Sequence, residues 1–357
     1  MKKLFISLMA MMLIVSASFS NVFATSQNDG FVKAKAYMNT LEELTSIDQL
    51  IAYESLGLES DEFDIEPFIS TDYASSIAKS VIAIALHGDD PRQYNGVNYV
   101  EMLENCVQET GAVDKANPST GANYQVYGVY ALYAIHSDLT EKAADYLVTL
   151  ATENGAFGFG SYEDLSVTGW VIEALSLVNK TKYQSTIENA VAWIQSKQIE
   201  SGEYVGGNWG ADANNQASVL NGLLTYDAKG VKDGKYNKGG NNPYDALLKY
   251  QFENGSFAWH VGDPKENPMA TVQGIQAVGT YENGSAYQRA HETYARLLNP
   301  EVPEVQPEEK PIVKPETKPE MDKVEVVPTA DTQMPLLYLG LCVISALGLW
   351  KGKEILG

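Results

Sequence analysis

Residues 153–178 read ENGAFGFGSYEDLSVTGWVIEALSLV, and their order decides the fold: a glycine turn, a polar loop, then an apolar run. Positions 166–178 of that run are apolar or small nearly all round, which is how a helix reads when it is buried on both sides. The turn at its head, Glu153-Asn154-Gly155-Ala156-Phe157, has three further copies: Glu109-Thr110-Gly111-Ala112-Val113, Glu200-Ser201-Gly202-Glu203-Tyr204 and Glu253-Asn254-Gly255-Ser256-Phe257. A signature that recurs along the chain marks a repeat architecture. Its third-position glycine predicts a left-handed cap at a helix end.

Working outward, each copy leads across a loop into another apolar run, at 124–135, 216–226 and 269–281, and residues 72–88 supply one more. The segments that precede the signatures, 99–109, 141–153 and 183–200, carry charge on one face and read as outer helices. Residues 31–57 read as a first outer and inner pair, so the count comes to about six hairpins. Hairpins at intervals of roughly 42 to 54 residues bury both faces of their inner helices only when they close into a ring. The expectation is an all-α fold, an (α/α)6 toroid of inner and outer helix hairpins over residues 25–300. No run shows sustained two-residue alternation, so no sheet domain is expected.

The two ends read as addresses. Met1-Lys2-Lys3, an apolar stretch and Val22-Phe23-Ala24 make a secretory signal peptide over residues 1–24. At the other end Pro303, Pro307, Pro311, Pro315 and Pro319 recur through 301–333, a disordered Pro-, Glu- and Lys-rich stalk. Residues 334–350 carry no charge and are followed by Lys351 and Lys353, as in one C-terminal transmembrane helix with a cytoplasmic tail at 351–357. Val327-Pro328-Thr329-Ala330-Asp331-Thr332 looks like a degraded sortase signal of a Gram-positive surface protein. The toroid is therefore expected on the extracellular face of the membrane or in the cell wall, tethered by its C-terminus.

Charge and composition exclude several classes. With 46 acidic against 25 basic residues the net charge is −21, which repels phosphate backbones and sets nucleic acid aside as a partner. Only Cys106 and Cys342 are present, too few for a disulfide framework or a cysteine zinc cluster. His87, His136, His260 and His291 have no metal-ligand spacing, and the acidic loops at Asp89-Asp90 and Asp212-Ala213-Asn214-Asn215 lack a calcium-loop pattern. No metal and no cofactor is expected.

The stretch from Gly240 to Phe257 (GNNPYDALLKYQFENGSF) and Met269-Ala270-Thr271-Val272-Gln273 resemble the prenyltransferase and squalene-cyclase (terpenoid cyclase) repeat superfamily. More narrowly, with residues 87–103 and 153–178, they resemble its branch of intrinsic factor, transcobalamin and bacterial surface relatives. That resemblance implies the toroid over about residues 30–295 and, through the narrower branch, capture of a corrinoid or another amphipathic compound. In that branch the ligand lies against a β-rich second domain, so a second surface protein would have to supply the lid. The superfamily's chemistries find no match here. Cys106 falls on an outer helix, away from any Asp and His zinc set, and where the cyclases carry a DxDD acid this chain reads Asp164-Leu165-Ser166-Val167. No Cys-Gly-Glu-Gln thioester run occurs. Binding is thus expected ahead of catalysis, with a terpenoid-cyclase-like or polysaccharide-lyase-like enzyme, or an adhesive surface domain, as the alternatives.

The loops after the signatures ring one mouth of such a toroid, where aromatic, amide and carboxylate side chains gather. The ligand-binding set expected there is Tyr162, Asp164, Trp209, Asp212, Asn215, Gln216, Trp259, His260 and Gln273, with no catalytic residue among them. Asp164 with Ser166, and Asp212 with Asn214, read equally as N-caps of the inner helices. Trp209 and Trp259 either seal the ring or grip a ligand, Trp170 and Trp193 read as core, and His260 is the group suited to acid–base work near neutral pH.

Overall fold

The computed structural model describes residues 29–114, 121–207 and 210–299; the signal peptide, stalk, sortase-like signal and apolar span read in the sequence lie outside these residues. Twelve helices run through them: α1 (29–38), α2 (Ile47–Ser55), α3 (Ala74–His87), α4 (Tyr99–Glu104), α5 (Ala122–Ala134), α6 (Thr140–Val148), α7 (Leu165–Asn179), α8 (Gln184–Ser196), α9 (Ala213–Lys232), α10 (Pro243–Leu248), α11 (Pro268–Asn283) and α12 (Ala286–Leu298). Strand among the described residues amounts to β1 (Gly158–Phe159) paired with β2 (Tyr162–Glu163) and a few isolated bridges. None of the described helices is long and apolar enough to cross a membrane.

The apolar runs form a closed inner ring. α2 packs on α3, α3 on α5, α5 on α7, α7 on α9, α9 on α11, and α11 returns to α2. Burial on all sides follows from that closure, and the residues of α3 from Ser80 to Leu86 are buried without a break. α7 and α9 approach backbone to backbone, because a Cβ at Gly169 or Gly222 would run into the facing main chain.

Outside this ring the signatures join each outer segment to the next. Gly111, Gly155, Gly202 and Gly255 all have positive φ, between 81° and 96°. They do not cap the helices as expected. α4 ends at Glu104, and Gly111 sits in a later turn closed by Gln108 N–H donating to Ala112 O at 2.8 Å. Each of these glycines presses on the following outer segment, and Gly255 lies against the Lys33 carbonyl of α1, which closes the outer circuit on itself. After each turn, the N–H of the fifth signature residue is taken by a side chain of the next inner helix. Gln125 accepts from Val113 at 2.9 Å, Thr168 from Phe157 at 3.0 Å, Gln216 from Tyr204 at 3.1 Å and Thr271 from Phe257 at 3.0 Å.

The alternation of six hairpins is incomplete. Between α2 and α3 the helical structure is a single 3-10 turn, Glu66–Phe68, in place of an outer helix. The last helix, α12, is no outer helix either: it packs on α2, α3 and α5 at the base of the ring. Tyr287, Ala290 and Tyr294 are buried on it, and Tyr287 stacks on Tyr130 of α5 with ring centroids 3.7 Å apart.

Candidate functional site

The N-terminal ends of the inner helices gather at the mouth, opposite α12. Six helix dipoles point their positive ends there, which favours carboxylates in the first turn and at the caps. Asp164 caps α7, accepting from Val167 N–H at 2.9 Å, and Asp212 caps α9, accepting from Asn215 N–H at 2.9 Å. The capping reading therefore holds for both acids, but not for their neighbours. Ser166 donates instead to Asn215 Oδ1 at 3.0 Å, and Asn214 donates to Gln273 on α11 at 2.7 Å.

Capping does not exhaust these residues. Tyr162, Asp164, Asp212, Asn215 and Trp259 line one cavity of about 150 Å³ between the heads of α7 and α9, together with Glu163, Leu165, Trp193, Lys197, Gly206 and Gly207. Asp212, only 5 % exposed, holds Asn215 Nδ2 at 2.6 Å, so the chain Asp212–Asn215–Ser166 ties the two helix heads together across the cavity. Burial pushes the Asp164 carboxyl up, and the charge of Asp212 adds to the effect. Glu163 is held below its ordinary value, first by the amide of Asn154 at 2.7 Å, with Thr152 and the Trp193 indole N–H also donating. Trp259 is 37 % exposed and its ring leans on His260 at 4.1 Å.

Of the remaining expected residues, Trp209 lies outside the described residues. Gln216 is fully buried and structural: it accepts from Tyr204 N–H and donates to Pro243 O at 2.9 Å, as Gln125 does for the preceding Val113 turn. His260 accepts no place in the cavity lining; its Nδ1 faces Asp263 of its own loop at 3.7 Å. Gln273 lies outside that cavity's lining and accepts from Asn214 of α9.

Trp193, read from the sequence as core, is 9 % exposed and buried accordingly, yet it also walls the cavity. An outer helix gives no sequence signal that one tryptophan reaches the rim. Trp170 is half-buried and belongs to a second feature, the floor of the mouth. There each inner helix contributes one polar or aromatic side chain from its first two turns. Lys79 of α3 meets Asp48 of α2 at 3.3 Å and stands over the Tyr127 ring of α5 at 4.5 Å; Tyr127 meets Trp170 of α7 at 5.8 Å; Asn214 of α9 bonds Gln273 of α11. A further cavity of about 240 Å³ lies beside it, between the heads of α2 and α11, lined by Tyr37, Asp48, Glu266, Met269 and their neighbours. No group of three or more His, Cys, Asp or Glu that could hold a metal ion exists among the described residues.

A ring of six inner helices with an open, acidic and aromatic mouth defines the class of this protein. No family model matches the sequence, and no curated protein matches it. Among solved structures the chain is similar to ent-copalyl diphosphate synthase from Streptomyces platensis, at 15% identity and a TM-score of 0.46, covering 67% of this chain and 50% of that one. It thus spans half the length of that synthase. It is also similar to the type II terpene cyclase MstE from Scytonema, at 16% identity and a TM-score of 0.46 over 70% of this chain and 87% of that one. A third similar structure is a possible member of the GH105 family from Salmonella enterica serovar Paratyphi A, at 14% identity and a TM-score of 0.44 over 71% and 81%. The narrower likeness to the intrinsic factor and transcobalamin branch rests on the sequence motifs.

Proposed function

We propose that the protein is a surface-tethered toroid that binds one ring of a polyhydroxylated ligand, a sugar unit of a glycan, in the cavity between α7 and α9. The observation that carries this reading is the convergence of Tyr162, Trp193 and Trp259 with Asp164, Asp212 and Asn215 on one space. Aromatic faces stack on the C–H face of a sugar ring, while carboxylates and amides take its hydroxyls. Size favours a single ring. The two mouth cavities, about 150 and 240 Å³, fall below the roughly 300–1,000 Å³ of sites for larger ligands, which weighs against a corrin macrocycle. Charge favours a neutral or amino sugar, since Glu163, Asp164 and Asp212 face a single lysine, Lys197, in the lining.

Calorimetric titration of the full-length protein with neutral, amino and acidic oligosaccharides and with cobalamin tests the reading. Binding of the first two classes is expected; cobalamin binding with no sugar binding would replace the sugar by the corrinoid. The tether is tested on intact cells, where added protease should release a fragment ending within residues 300–330.

A second reading, cleavage of the bound glycan, is favoured by one observation: Asp164 shares the cavity with two further carboxyls, Glu163 and Asp212, and is itself pushed towards its protonated form. A general acid beside a second carboxylate is what glycosidic bond cleavage requires. Release of reducing ends by the wild-type protein, lost in Asp212→Asn, supports it; an intact glycan after prolonged incubation leaves binding alone.

A further inference from the structure

Inner helix α9 runs through the core, yet one face of it is polar. Asn214, Ser218, Asn221 and Thr225 follow at intervals of four, three and four residues, the spacing that stacks side chains along one helix face. At 1.5 Å of rise per residue the stripe descends about 16 Å from the mouth. Contacts fix both ends. Asn214 bonds Gln273 on the half-open floor of the mouth. Thr225 faces Glu173 of α7 closely enough for its hydroxyl to hold that carboxyl's pKa down, though it makes no hydrogen bond of normal geometry.

Between these ends the stripe is unsatisfied. Ser218 Oγ and Asn221 Oδ1 are buried without a protein partner, Thr225 Oγ1 has only its approach to Glu173, and the three are among the four buried side-chain atoms of the described residues that make no hydrogen bond of normal geometry. Ser218 and Asn221 are 1 % and 3 % exposed. A buried oxygen left dry costs about 1–3 kcal/mol, so three in a row on one helix face call for an occupant that donates hydrogen bonds. At the foot stands Glu173, fully buried, accepting from Ser285 Oγ at 2.7 Å and Tyr130 Oη at 3.1 Å.

We propose that a file of bound water runs along this face of α9 from the mouth to Glu173 and lets that buried carboxyl exchange protons with solvent at the mouth. Water fits the stripe because each molecule donates to the unpartnered oxygens and accepts from the next molecule in the file. The groups facing Glu173 are Tyr130 and Tyr127 from α5, Thr225 from α9, Ser285 at the cap of α12 and Tyr287 on it, and none of them is a cation. Burial accordingly pushes Glu173 up to about 7, so that both its forms are populated near neutrality. The step is a proton transfer: the carboxyl gives its proton to the lowest water, the file passes one along, and one leaves beside Asn214. A basic group seated on the floor by Tyr127 and Trp170 can take that proton from below.

Two measurements on the full-length protein test the file. The first is the infrared band of the protonated Glu173 carboxyl, assigned by its loss in Glu173→Gln. On transfer to heavy water it should shift within the mixing time in the wild type and at least tenfold more slowly in Asn221→Leu, which plugs the file. A wild-type band that shifts as slowly as core amides exchange would overturn the proposal. The second is the melting temperature of Ser218→Ala, which keeps the test open if Asn221→Leu fails to fold and leaves the Glu173 contacts in place. Where water occupies the stripe, removing its partner lowers the melting temperature. A rise, or no change, would mean that a dry unsatisfied oxygen had been deleted, and would also overturn it.

Discussion

The two ends of the inner ring are built to opposite rules. At the base, α12 lies over α2, α3 and α5 and is fastened by matched contacts. Ser285 bonds Glu173, Arg289 meets buried Glu54 at 2.9 Å, the His136 and His291 rings stack at 3.5 Å, and His291 Nδ1 bonds Tyr133 O at 2.7 Å. At the mouth, Tyr73, Tyr124, Phe159, Tyr162, Trp259 and Met269 stand exposed above the floor of polar side chains. Both ends use aromatic rings, which are buried at the base and exposed at the mouth. An exposed apolar patch rimmed by polar groups is what a binding surface presents.

The contrast predicts that the same kind of substitution affects stability at one end and binding at the other. The largest effect is expected for Tyr287→Ala, which removes a buried ring stacked on Tyr130 and should cost about 3–5 kcal/mol. Thermal unfolding measures it, and a loss below 1 kcal/mol would deny α12 its role as the closure. Next comes the pH dependence set by Glu173. Its folded pKa, about 7, lies above the ordinary 4.5, so the folded state binds the extra proton. Stability is therefore full below pH 4.5 and declines as pH rises through 7, by about 3 kcal/mol at 1.4 kcal/mol per unit. Glu173→Gln should abolish that decline; equal slopes from pH 5 to 8 in the two proteins would show that Glu173 does not titrate there.

At the mouth, Trp259→Ala should weaken sugar binding by about 2 kcal/mol, some thirtyfold, with little change in melting temperature. Trp193→Ala is not a clean core control for that experiment, because the ring both packs α8 and walls the cavity, and it should lower both quantities. Tyr287→Ala serves as the stability control. The smallest effects are expected from the caps: Asp164→Ala and Asp212→Ala should each cost about 1 kcal/mol, while Asp212→Asn keeps the cap and so separates capping from ligand contact. A ligand affinity untouched by all three would return both acids to a structural role alone.

Much of this was legible in the chain. The glycine signatures, the runs apolar on every side and the acids heading α7 and α9 are local patterns, and local patterns are what helix burial and capping require. Other features were not legible. Gln216 looks like a mouth residue because it follows Asn215, but one step along a helix turns a side chain by about 100°, and Gln216 points back to the Tyr204 turn. Gln273 and Asn214 are far apart in sequence, and their meeting on the floor depends on α9 and α11 being ring neighbours. The expected glycine caps became interior turns because the chain goes on for several residues after α4 before it reverses.

By itself the sequence determined that helices would form, which runs would be buried all round, and, at Asp164 and Asp212, where two of them would begin. Periodicity and capping are properties of neighbouring residues, and no distant contact is needed to read them. Tertiary structure alone decided that α12 would leave the outer circuit and close the base, that Trp193 would reach the rim cavity, and that six helices would each place one side chain on a common floor. Those outcomes depend on how a closed ring sets the rotation and level of every helix against its two neighbours, a constraint that acts between residues far apart in the chain and leaves no repeat within it.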